Sequence, residues 1–181
     1  NIAAIHLENA RLFEEQIEKK RFEREAQAAA EIQMRLIPQT MPSISGYQFE
    51  GRMTPCYEVG GDYFDALSFG AGREGLIIAD VAGKGMGAAI LMACLQSTYH
   101  ACAESEPKLE RLIQQLNKAV SRRTPANRFI TAFVSELDLT THRLRFVNAG
   151  HAPPPLIIRA GGAIELLMPG GPPLGVFPEF D

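Results

Sequence analysis

The sequence predicts an α+β fold in which helices pack on a largely antiparallel sheet, and three observations predict it. A long helix-compatible stretch opens the chain, short strand-like segments follow, and two segments of helical period stand between those strands and a second group of them. The 181 residues, 46% of them hydrophobic, are enough to bury a core and suit one domain with an appendage.

Residues 1 to 36 hold no proline, and Ile2, Ile5, Leu12, Phe13, Ile17, Phe22, Ile32 and Leu36 recur among charges, which reads as one long helix. The run from Glu18 to Glu25 interrupts a strict heptad, so a parallel coiled coil and a solvated linker helix both remain open. Pro38, Pro42 and Gly46 end the helix, which divides the chain into a linker helix (1–36) and a globular domain (37–181).

Strands are expected at Tyr47 to Thr54 and Tyr63 to Phe69, and the apolar run Gly75 to Val81 reads as a strand covered on both faces. Met86, Ala89, Ile90, Ala93 and Ser97 then recur at helical spacing. So do Leu109, Leu112, Ile113, Leu116 and Val120, after Pro107. Beyond Pro125, strand character returns at Phe129 to Leu137, Arg143 to Asn148, Leu156 to Arg159 and Ile164 to Leu167.

Composition excludes several functions. Lys+Arg total 18 against Asp+Glu 21, so the one-sided basic field of a nucleic-acid binder is absent. Cys56, Cys94 and Cys102 are odd in number and lack C-x-x-C spacing; they read as small core residues in a reducing compartment, and a cytoplasmic location is expected. The longest apolar run, Gly87 to Leu95, is far short of the roughly 20 residues a membrane span needs.

The densest chemistry lies in Glu58-Val59-Gly60-Gly61-Asp62-Tyr63-Phe64-Asp65, where glycines permit close backbone approach and acids offer hard oxygen ligands. Asp80 ends the apolar run and leads into Val81-Ala82-Gly83-Lys84-Gly85. Two carboxylates at the ends of adjacent strands suit one or two hard cations such as Mg²⁺ or Mn²⁺. The plainer alternative is that Asp62 and Asp80 are turn or capping residues. Gly83-Lys84-Gly85-Met86-Gly87 before a helix could bind an anion, but the spacing and the Lys-Ser or Lys-Thr pair of a nucleotide loop are missing.

GGDYFD, ADVAGKGMGAA, AAEIQMRLIPQTMP, FITAFV and NAGHAPP followed by PPLGV occur in order over roughly 28 to 176. Together they closely resemble the bacterial SpoIIE-type and RsbU-type serine phosphatases, within the metal-dependent protein phosphatase 2C-like superfamily. The resemblance implies an αββα sandwich of two antiparallel sheets with two Mn²⁺ or Mg²⁺ ions between them. It further implies metal-activated water attacking phosphoserine or phosphothreonine of a regulatory protein, by analogy an anti-sigma-factor antagonist. Asp62 and Asp80 fall where that family places two acidic ligands, and Val81 where a backbone carbonyl contributes. Lys84 is a candidate contact for substrate phosphate.

The family's further acids, in a Thr-Asp-Gly motif and a final Asp, do not occur in these residues. A chain with these limits, lacking the C-terminal part of the domain, is expected to hold metal weakly and to be inactive. His151 lies in a matching motif and reads as structural, neither base nor ligand; Asp65 reads as supporting or turn-forming, and Glu58 stays open.

Ile5 to Glu15 resembles the last helix of GAF sensor domains, which implies a sensor upstream and a helix that transmits its state. The length and apolar face of that helix suggest a homodimer. A non-catalytic dimerisation and signal-relay module with the same fold is the alternative function.

Overall fold

In the computed structural model, residues 2–54, 58–105, 108–124, 128–168 and 170–178 are described, so Cys56, Pro107, Pro125 and the terminal 179–181 lie outside the description. The opening helix, α1 (Ile2–Leu36), forms as expected. Its first two thirds carry solvent-exposed ion pairs, Arg11 with Glu8 and Glu15, Lys19 with Glu23, and Arg21 with Glu25. Such pairs support an isolated helix by a few tenths of a kcal/mol each.

Its last third buries a stripe, Ala26, Ala30 and Gln33, which continues to Ile37 just past its end. Ala30 packs with Val59 and Ala89. Gln39 caps the end, its amide nitrogen donating to the carbonyls of Met34 (2.7 Å) and Ile37 (3.1 Å).

The central sheet is an antiparallel meander of β1 (Tyr63–Ser68), β2 (Arg73–Val81), β3 (Ile130–Asp138) and β4 (Arg143–Ala149), in that order. Between β2 and β3 the chain makes α2 (Met86–Ala103) and α3 (Leu109–Ser121), which cover one face. Odd-numbered Ile77, Ala79 and Val81 of β2 point into that layer, as do Ile130, Ala132 and Val134 of β3. There they meet Leu91, Met92, Leu95 and Tyr99 of α2, and Leu112 and Leu116 of α3. Burying each such aliphatic side chain contributes about 1.5–3 kcal/mol.

The opposite face is covered less than the sequence suggests. Ile78 of β2 is 44% exposed, and a groove of about 420 Å³ runs over Phe64, Leu76 and Phe133. Part of its wall is the segment around Phe49 and Gly51, where a strand was expected. Among the described residues this stretch makes only a bridge between Ile44 and Tyr47. The reason is steric and local: it lies as extended cover on Phe64, whose ring sits 2.2 Å from where a Gly51 Cβ would be. Tyr47 stacks on Phe49 and bonds to His142 instead of joining a ladder. A separate hairpin, β5 (Leu156–Ile158) with β6 (Ile164–Leu166), completes the strands and also lines the groove through Leu156 and Ile157.

Candidate functional site

The β1–β2 ladder brings the two predicted acids together. Tyr63 pairs with Ala79, and the Val81 N–H donates to the Gly61 carbonyl at 3.3 Å, so Asp62 stands opposite Asp80 at the end of the pair. Both carboxylates are exposed and lie on the face away from α2 and α3. Gly61 has no room for a side chain, since a Cβ there would be 2.9 Å from the Cβ and from the carbonyl oxygen of Val81. That contact keeps the Val81 carbonyl beside the loop that carries Asp62.

Partial burial, then the charge of Asp62 and a hydrogen bond with its carboxyl, raise the Asp80 carboxyl above its ordinary pKa. Two carboxylates held this close favour a cation between them, and hard oxygen donors fit Mg²⁺ or Mn²⁺. Among the described residues no group of three or more His, Cys, Asp or Glu side chains forms a metal cage. Asp62 and Asp80 stand side by side there, with the backbone of Val81 adjacent.

The remaining candidates are placed elsewhere. Lys84 and Glu58 line a recess of about 300 Å³ against Phe22 and Ala26 of α1. Asp65 stands three residues from Asp62, so strand alternation turns it to the helix-covered face, where it is buried. There it accepts hydrogen bonds from the Tyr63 hydroxyl (2.6 Å) and the Ala66 N–H (2.8 Å), and His100 Nε2 of α2 lies 2.7 Å away. Its work is to tie β1 to α2. Cys102 is buried, which raises its thiol pKa, and Cys94 is half-buried; both are free thiols.

Three further residues at the site carry no sequence signal of chemistry by themselves. Gln33 of α1 donates to the Gly60 carbonyl at 2.7 Å and accepts from the Gly60 N–H at 2.9 Å, clamping the loop that presents Asp62. In the sequence it stands in the stripe Ala26, Ala30, Gln33, Ile37 and within AAEIQMRLIPQTMP, neither of which shows its partner. Thr131 pairs with Asp80 in the β2–β3 ladder, and its hydroxyl lies 3.1 Å from His151 Nδ1. Asn148, buried, accepts the His151 N–H at 2.8 Å. Burial lowers the His151 pKa, opposed by Asp80, Thr131 and Asp62.

A helix pair on an antiparallel meander is the arrangement this chain shares with solved domains of the protein phosphatase 2C class. The SiaA-PP2C domain of Pseudomonas aeruginosa shares the fold, with a TM-score of 0.69 at 16% identity over 87% of this chain and 64% of that one. The PP2C phosphatase domain of SpoIIE from Bacillus subtilis, solved with a fragment of its regulatory domain, matches at a TM-score of 0.58 and 25% identity over 68% and 36%. The sequence profile described as Stage II sporulation protein E (SpoIIE) matches residues 70–181, and the chain belongs to that family. Phosphoserine phosphatase RsbU of Bacillus subtilis (strain 168) is 28% identical over 131 residues, 71% of this chain and 38% of RsbU. The chain spans 28–40% of the length of the curated relatives it matches. Among the described residues no helix is long and apolar enough to cross a membrane.

Proposed function

We propose that this chain is the output part of a metal-dependent protein-serine/threonine phosphatase of a bacterial signalling pathway. The observation that carries the reading is the ladder that sets Asp62 against Asp80 on the open face of the sheet beside Gly61. Asp62, Asp80 and the Val81 carbonyl would hold Mn²⁺ or Mg²⁺. Such an ion, when bound, lowers the pKa of a water and orients it for in-line attack on a phosphoryl group. The chain's own contribution is to fix the two carboxylates, through the Gly61–Val81 contact and the Gln33 clamp, and to keep their face open to substrate. Phosphoserine or phosphothreonine of a regulatory protein of the anti-sigma-factor antagonist type is the substrate we assign. RsbU and RsbP, named phosphoserine phosphatases, support that reaction class.

Turnover calls for the further acids that complete a dinuclear site, so the test uses the full-length protein with Mn²⁺ and a phosphoserine protein. Hydrolysis that is abolished in Asp62→Asn and Asp80→Asn supports the reading; absence of hydrolysis, or variants that match the parent, sinks it. The second reading, a non-catalytic relay module, is favoured by one observation, that the described residues supply only two carboxylates to the site. A full-length protein without a Thr-Asp-Gly strand and a terminal Asp would decide for it.

Either reading uses α1, whose Ile2, Leu7, Phe13, Ile17 and Phe22 are more than half exposed. We assign this helix to a homodimer that carries a sensor signal. Light scattering of the chain with and without residues 1–30 tests it, and a monomer in both rules it out.

A further inference from the structure

The outer face of the helix pair carries a charge pattern that the fold does not use. On α3, Arg111, Lys118 and Arg122 recur after two turns and after three, so they share one face over roughly 16 Å of helix. All three are exposed, as is Arg123 beside them. Among the described residues none of these four is in an ion pair, whereas α1 sets Arg11, Lys19 and Arg21 against glutamates one turn away. α2 contains no Asp, Glu, Lys or Arg at all. The described acids nearest the strip, Glu104 and Glu110, lie at the turn between the two helices, and Glu110 is held by Arg145 of β4. The helix dipole favours cations in the last turn of α3, but it disfavours Arg111 near the start, and Lys118 and Arg122 repel each other across one turn.

Beside the strip a groove of about 680 Å³ runs between α2 and α3, from Ile90 and Arg123 at one end to Cys102 and Ser105 at the other. Its α2 wall includes Ile90, Ala93 and Ala101, and Ile90 is 58% exposed. The Ile90 end lies toward the acid pair. α2 starts from the turn that follows Val81, and the last turn of α3 is fixed at the same end, since Gly175 lies against Val120 while its neighbour Leu174 bridges Ile130, the β3 partner of Val81. An apolar groove flanked by cations complements an amphipathic helix whose polar face is acidic. A second copy of this chain does not, because a two-fold contact through this face would set the strip against itself. With 18 Lys and Arg against 21 Asp and Glu, the chain also lacks the wider basic field of a nucleic-acid binder.

We propose that the groove between α2 and α3, with the strip of Arg111, Lys118 and Arg122, docks an acidic amphipathic helix of the phosphoprotein whose phosphoryl group goes to Asp62 and Asp80. The assignment rests on the phosphatase reading above and adds to it a substrate feature outside the phosphorylated residue. A helix docked there contributes equally to the bound substrate and to the transition state, so the surface acts on KM and not on kcat.

The test uses the full-length protein with Mn²⁺ and two synthetic substrates. One is a short phosphoserine peptide; the other is the same peptide joined by a flexible glycine-serine linker to a designed helix with leucines on one face and glutamates on the other. The joined substrate is expected to show a KM about tenfold lower at equal kcat. Combining Arg111→Gln, Lys118→Gln and Arg122→Gln keeps good helix formers on an exposed face, and is expected to erase that difference while leaving the short peptide's kinetics as in the parent. Fluorescence anisotropy of the labelled helix alone reads docking without turnover. Binding is expected to weaken about tenfold in the triple variant, to fall with added salt, and to be about tenfold weaker for a scrambled peptide of the same composition. Helix binding that is absent in the parent, indifferent to the triple variant or matched by the scrambled peptide overturns the docking surface. So does duplex DNA bound as tightly as the helix, or a dimer that the triple variant splits. Docking by a protein that hydrolyses neither substrate sinks the phosphatase reading alone. Hydrolysis of both substrates with equal KM sinks the docking assignment alone.

Discussion

Replacing Gly61 by alanine isolates what the close approach of β1 to β2 does for the acids. The new methyl would sit 2.9 Å from the Cβ and carbonyl oxygen of Val81 and 3.2 Å from its nitrogen. Carbon–carbon contacts settle at about 3.5–4.0 Å, so the strand pair must open by about 0.6–1 Å at this point. Overpacking against backbone costs about 1–3 kcal/mol, which in a domain of this size lowers Tm by about 2–12 °C.

Opening the pair also separates Asp62 from Asp80, and misplacing the support of a metal ligand lowers metal affinity about 10–100-fold. Gly60→Ala is the matched control, because nothing lies within 4 Å of a Cβ there. It is expected to change stability by less than about 0.5 kcal/mol. Thermal unfolding by circular dichroism reads the first effect, and Mn²⁺ titration of the full-length protein by electron paramagnetic resonance reads the second. If the two alanine variants melt together and bind Mn²⁺ alike, the Gly61 contact does not set the site.

Gln33→Leu leaves the Gly60 N–H and carbonyl without their partners, at about 1–3 kcal/mol for each group that stays dry. Urea unfolding should show a loss of about 2–6 kcal/mol with an unchanged slope, and a loss below about 0.5 kcal/mol would mean that the clamp is decorative. The raised Asp80 carboxyl gives a pH test. Because the folded state binds that proton more tightly than the unfolded chain, its contribution to stability without metal is greatest below the usual carboxylate pKa and declines as pH rises through the folded value. Asp80→Asn should therefore gain on the parent with rising pH, by up to about 1 kcal/mol near neutrality, the scale of two unit charges in water. Melting curves from pH 4 to 8 that keep a constant gap between the two proteins contradict this.

Much of this architecture was legible because it follows from period. The change from helical spacing to alternation placed α1, both covering helices and β1 to β6 within a few residues. That Asp62 and Asp80 stand opposite each other was legible for the same reason, since one precedes β1 and the other lies near the end of β2. Asp65 shows where adjacency in sequence misleads: an odd step along a strand turns it through the sheet, so it serves α2 and not the acid pair. Gln33 and Asn148 lie in recognised motifs, but their roles were silent because these depend on partners brought close by tertiary folding, Gly60 in one case and Leu167 in the other. The missing strand at 47–54 has a like cause, a backbone with no ladder neighbour resting on one phenylalanine ring.

The hairpin that joins β1 to β2 turns through Gly70, Ala71 and Gly72, all at positive φ, and closes with the Phe69 N–H donating to the Arg73 carbonyl at 2.8 Å. From that turn outward the paired strands act as a ruler whose far end is the acid pair. A single residue inserted in either strand, unless absorbed as a bulge, advances one side by one place and turns one carboxylate toward the helices. Lineages descending from such a hairpin should therefore exchange its side chains far more freely than they change the length between Asp62 and Asp80.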